Sequence, residues 1–179
     1  DKDLDGQRAF LALGCRGDEP LRYDVAQAER QLRPDIVLGF LGEQIDQSVR
    51  STVEPYRDNP WLLGYFTFNE PSFLGREERL CDLILEGPDR PIKSALREYL
   101  SASDTPELRT GFIHQTFRIF LETVDQALER HDPNHLTLGI RFGQEAGNEI
   151  LELCKDVFDV FSFNCYDLYP SHEMMDRFV

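Results

Sequence analysis

Apolar and polar positions along the chain alternate between two rhythms. "AFLALGC" (Ala9–Cys15) is a short apolar run closed by the turn-forming "RGDEP", the pattern of a buried strand. Between Gly42 and Tyr56, the residues Ile45, Val49, Val53 and Tyr56 recur at spacings of four, four and three, which aligns one face of a helix. "RDNP" ends it, because proline disfavours helical geometry in the residue before it. "WLLGYFTF" (Trp61–Phe68) is apolar on both alternating sides and predicts a strand covered on both faces, as in parallel sheets. Helical patterns return in "GREERLCDLILEG" and "RPIKSALREYLSA". "SDTPE" then offers a capping residue and an early proline to a long helix reaching about His131, striped by Ile113, Phe117, Phe120, Leu121, Val124 and Leu128. "LTLGIRF" (Leu136–Phe142) reads as the next strand, "NEILELCKDVF" as a short helix, "DVFSFNCY" (Asp159–Tyr166) as a further strand, and "PSHEMMDRFV" as the start of another helix.

Strands alternating with helices predict an α/β fold with parallel strands and right-handed crossovers. A doubly wound sheet usually carries a glycine-rich turn after its first strand, and "LGCRGDEP" does not fit G-x-G-x-x-G. The expectation is therefore a (β/α)8 TIM barrel. Such a barrel takes about 250 residues, or roughly 30 per unit. A chain of 179 residues with four strands and a long excursion after the second predicts one partial barrel domain, approximately strands three to six. The absence of an initiating Met fits a piece of something longer.

Composition narrows the partners. With 41% hydrophobic residues the chain can bury one core. Its net charge of -14 repels phosphate backbones, and no basic stripe interrupts it, which argues against nucleic acid and for a neutral or polar substrate. No apolar run approaches the roughly 18 residues needed to cross a bilayer, so no membrane partner is expected. Cys15, Cys81, Cys154 and Cys165 lie far apart, without zinc-ligand spacing; three of the four lie in apolar surroundings and read as small buried hydrophobes, and together they leave the compartment open. Neither a metal nor a cofactor is expected.

In a barrel the chemistry sits at the C-terminal ends of the strands. Those ends carry Asn69 and Glu70, then Arg141 with Gln144 and Glu145 nearby, then Asn164, Tyr166 and Asp167. A carboxyl at the mouth of an aromatic-lined barrel is partly desolvated, so Glu70 is expected to have a raised pKa and to hold a proton for general acid catalysis. Asn69 can donate to a substrate hydroxyl, and Pro71 turns the chain away from the strand. The plainer alternatives are that strand ends become polar where they meet solvent, that Arg141 makes an ion pair across strand ends, and that Tyr166 packs at the rim. Among the aromatics, Phe73 is the best placed to stack on a sugar, whereas Trp61 opens its strand at the opposite end and is expected in the core.

"GYFTFNEPS" resembles the fourth-strand motif of clan A glycoside hydrolases, in which Asn-Glu carries the general acid/base on a (β/α)8 barrel. "YRDNPWLLGYFTFNEP", "RHDPNHLTLGIRF" and "DVFSFNCY", in this order from about Asp35 to Tyr169, resemble the β-agarase-like glycoside hydrolase family 50. The resemblance implies a retaining enzyme that cleaves β-glycosidic bonds of a galactan-type polysaccharide. Glu70 would be the acid/base, Asn69 the partner of a sugar hydroxyl, and Arg141 and Tyr166 part of the sugar cleft; Asn164 is a further substrate-binding candidate from its place at a strand end. Two departures stand out. Phe68 occupies the position where the family commonly has Asp, and the family's nucleophile, a Glu at the end of strand seven, is expected outside this chain. Glu145 and Glu173 read as solvated residues rather than substitutes. The competing expectation is a non-catalytic carbohydrate-binding or isolated barrel fragment, whose open sheet edges would invite self-association.

Overall fold

The computed structural model describes residues 37–38, 41–143 and 146–176. The predicted strand Ala9–Cys15 and the candidates Gln144 and Glu145 lie outside the described residues. In chain order the elements are α1 (Leu41–Val53), β1 (Gly64–Asn69), α2 (Glu77–Glu86), α3 (Pro91–Tyr99), α4 (Pro106–His131), β2 (Leu136–Phe142), α5 (Asn148–Cys154), β3 (Ser162–Phe163) and α6 (His172–Asp176). They form an α/β fold around a small parallel sheet ordered β1-β2-β3, with helices in each crossover. No helix among the described residues is long and apolar enough to cross a membrane.

The 26-residue helix α4 organises the core. Thr105 caps it by accepting from the Leu108 amide, and Pro106 fills the first turn, where a missing N–H costs nothing. Its apolar stripe delivers Phe112, Phe117, Phe120 and Leu121, all essentially buried, beneath the sheet. Phe120 meets Phe68 of β1 edge to face at 5.7 Å between ring centroids. Ile140 and Phe142 of β2 and Cys154 of α5 complete the same cluster. Among the described cysteines, Cys81 and Cys154 are buried and Cys165 is exposed.

β1 departs from its expected cover. Its strand begins at Gly64, and Trp61 is 93% exposed where the sequence pattern placed it in the core. The reason is position: Trp61 lies in the turn before the strand, with Leu63 also in solvent, and β1 is an edge strand among the described residues. Gly64 approaches the backbone carbonyl of Leu136 so closely that a Cβ there would collide with it. An irregularity in register between Phe66 and Phe68 leaves Phe66 half-exposed away from the helices, with the Arg141 guanidinium 5.0 Å from its ring centre.

A polar cluster closes the lower end of the sheet. The Tyr65 hydroxyl donates to buried Asp132 at 2.6 Å, and His135 Nδ1 lies 2.8 Å from the same carboxylate oxygen. His135 Nε2 reaches the carbonyl of Asn59 at 3.0 Å, so the turn before β1 is tied to the loop before β2.

Candidate active site

At the opposite end, the chain leaves β1 at Asn69 and turns sharply. Glu70 donates its amide to the Arg141 carbonyl at 2.8 Å, continuing the ladder by one bond, and then adopts φ 46° ahead of Pro71. A left-handed backbone costs a non-glycine residue roughly 1 kcal/mol. Such strain is tolerated where the surroundings hold it, as at functional sites. Gly143, directly after β2, is part of that hold: a Cβ there would stand 2.6 Å from Cγ and Cδ of Glu70. The glutamate side chain lies against a backbone that only glycine can supply.

The segment after β3 supplies the polar partners. Asn164 donates its amide to the Phe142 carbonyl at 2.7 Å, which directs its side chain at the end of β1. Its Nδ2 donates to Glu70 Oε1 at 2.6 Å and lies 3.2 Å from Asn69 Oδ1. The Tyr166 hydroxyl donates to the same Oε1 of Glu70, although the tyrosine is largely exposed. Asn69, Glu70, Asn164 and Tyr166 therefore meet, from residues roughly 95 positions apart in sequence. Arg141 joins them through its charge, which acts on Glu70 from the end of β2.

The expected elevation of the Glu70 pKa is not found. The hydrogen bond from Tyr166, then that from Asn164, holds the carboxyl below its ordinary range; burial opposes them, and the charge of Arg141 adds to the lowering. Two donors aimed at one oxygen stabilise the anion more than partial desolvation disfavours it. The same bond pushes the Tyr166 hydroxyl above its usual value. Phe73 also requires correction as a sugar-stacking residue. It is buried, packed edge to face on Phe117 at 4.8 Å, because the loop after Pro71 folds back onto α4.

Beside this cluster lies a cavity of about 810 Å³, bordered by Glu70 and Tyr166 at one side. Its wall includes Gly143, Glu77 and His114, which sequence reasoning passed over. The signals were faint: a glycine just after a strand, a carboxylate among several in a helical first turn, and one histidine inside the apolar stripe of α4. Among the described residues no group of three or more His, Cys, Asp or Glu could hold a metal ion. Chemically, the site is an ionised carboxylate ringed by two amides, a phenol and a guanidinium, a donor and acceptor set suited to polyhydroxylated ligands. Compared with known families, curated proteins and solved structures, the chain matches none of them.

Proposed function

We propose that the chain is the central part of a (β/α)8 barrel, about strands three to six, of a retaining β-agarase-like glycoside hydrolase. The observation that carries this reading is the meeting of Asn69 and Glu70 with Asn164 and Tyr166 at the C-terminal ends of consecutive parallel strands. Three parallel strands in chain order, with Phe68, Ile140 and Phe142 buried on the helices and Phe66 exposed opposite, also suit a barrel wall. Glu70 is the general acid/base, Asn69 binds a sugar hydroxyl, and Arg141, Asn164 and Tyr166 line the cleft. Retaining hydrolysis takes two carboxylates about 5 to 5.5 Å apart, one of them a nucleophile. On this reading the nucleophile belongs to a further strand outside this chain, and these residues alone are inactive.

Acting as an acid requires Glu70 to be protonated, so on this reading substrate displaces Tyr166, or the nucleophile carboxylate of the further strand stands close enough to raise the Glu70 pKa. The test is Glu70→Gln in a protein that extends through the missing strands. Hydrolysis of galactosides with poor leaving groups should fall by about 100-fold or more, while activated aryl galactosides keep their cleavage of the first bond. Equal loss on both classes would remove the acid assignment. The carboxyl held ionised favours a second reading, a non-catalytic carbohydrate-binding fragment; galactan binding without hydrolysis in the extended protein would select it.

A further inference from the structure

We propose that the turn before β1, with Trp61 at its corner, is a second carbohydrate-binding surface of this chain, separate from the Glu70 site and suited to a neutral polysaccharide. The sugar class rests on the function proposed above, whereas the surface rests on its own geometry. The Asn59 amide donates to the Tyr56 carbonyl at 2.9 Å, and the Leu62 amide to the Asn59 carbonyl at 3.2 Å. Each bond closes a four-residue β-turn, so Arg57 and Asp58 stand at one corner and Pro60 and Trp61 at the next. Asn59 Oδ1 also accepts from the Trp61 amide at 3.0 Å, and the ring of Pro60 fixes the backbone just before the indole. The indole therefore stands in solvent on a backbone that is hydrogen-bonded on both sides of it.

The Tyr65–Asp132–His135 cluster supports this turn from below. Both ring nitrogens of His135 face acceptors, the Asp132 carboxylate at 2.8 Å and the Asn59 carbonyl at 3.0 Å, so the ring donates twice, as the imidazolium. A covered ion pair is a weak source of stability beside apolar packing of the same volume, so what this one contributes is the position of a single carbonyl. Rigid support beneath an exposed aromatic is how binding surfaces are built, and tryptophan is enriched in them. The surface itself is open. Trp61 is 93% exposed, Leu63 two residues on is 68% exposed, and Arg57 and Asp58 are exposed. The indole N–H and the side chains of Arg57 and Asp58 make no hydrogen bond or ion pair among the described residues. The negative face of the indole suits the weakly positive C–H face of a pyranose, and the N–H, guanidinium and carboxylate suit its hydroxyls. Charge selects the ligand further. Arg57 and Asp58 balance each other at the corner, and a net charge of -14 over the chain repels anionic polymers. β1, six residues and about 20 Å long, separates this corner from Glu70. A polysaccharide held here raises the local concentration of its own links at the cleft.

The experiment is proton–nitrogen NMR of the 179-residue chain, whose one tryptophan gives one indole N–H signal, titrated with an agarose-derived hexasaccharide. The expected result is a saturable shift of that signal, with nuclear Overhauser contacts from the indole ring to sugar C–H protons. Arg57→Ala and Asp58→Ala, both at exposed corner positions, should each weaken binding about fivefold, the scale of one hydrogen bond. An unmoved indole signal, a shift whose new contacts run to a second copy of the chain instead of to sugar, or affinities unchanged in both variants would overturn the surface. The hydrolase reading fails separately. If the indole responds but the extended protein does not hydrolyse galactosides, the surface stands without the enzyme; if Glu70→Gln behaves as an acid variant and the indole stays silent, the enzyme stands without the surface.

Discussion

Glu70 gathers its partners on one oxygen. Tyr166 and Asn164 both donate to Oε1, and the phenol reaches it from a largely exposed position. Removing the phenolic hydroxyl takes away the largest influence holding the carboxyl ionised. In Tyr166→Phe the Glu70 pKa should rise toward the ordinary carboxylate range while staying below it, because Asn164 and Arg141 remain. Carbon-detected titration of the Glu70 carboxyl in both proteins checks this, and an unchanged midpoint would mean that the hydroxyl has no hold on the carboxyl. The place of Glu70 directly after β1 was legible in sequence, since an amide and a carboxylate end an apolar run there. Its ionisation was not, because the donors come from a segment some 95 residues downstream and only the fold brings them together.

The turn before β1 and the loop from α4 to β2 meet through His135. Its imidazole bonds to Asp132 and to the Asn59 carbonyl, and both bonds raise its pKa above the ordinary 6.5; burial opposes them. A group whose folded pKa is raised gives its full stabilisation below the unfolded value and loses it as pH rises through the folded one. Asp132 is the counterpart: although burial pushes its pKa upward, the bonds from Tyr65 and His135 hold it below normal, so its share disappears in acid. Stability to urea should therefore decline as pH climbs above about 6.5, and His135→Gln should flatten that decline. The same slope in the variant would assign it to other groups.

Element boundaries followed the sequence where burial is continuous, as in β2, or recurs with a helical period, as in α4. β2 spans Leu136–Phe142 as its apolar run implied, and α4 ends at His131. The strand expected over Asp159–Tyr166 shrinks to Ser162–Phe163. Gly139 lies at φ 63° with the Phe158 ring packed where its side chain would be, which interrupts the facing stretch of β2. Only Arg141 and Phe142 then offer β3 a regular ladder. Sequence periodicity reports which side of a segment is buried, and it is blind to a ring wedged between neighbouring strands.

Over the molecule as a whole, the described sheet ends in two edges, β1 and β3, and leaves Phe66 of β1 half in solvent. Edges of this kind pair readily with other chains. Sedimentation velocity at loading concentrations about tenfold apart should give a rising weight-average coefficient, the mark of reversible pairing through sheet edges. A concentration-independent monomer would contradict it. The parallel sheet was legible in the alternation of strands and helices, whereas closure into a barrel is not a property that periodicity reports, because it depends on strands that face one another across an axis rather than along the sequence.

Trp61 is the chain's single tryptophan and stands almost entirely in water at the foot of β1. Its fluorescence will therefore be red-shifted already in the native state and will change little on unfolding, so melting must be followed by circular dichroism or the buried aromatic protons. That insensitivity has a use. If copies of the chain join along β1, the indole is covered and its emission moves to the blue, giving an optical signal of assembly that ordinary unfolding leaves untouched.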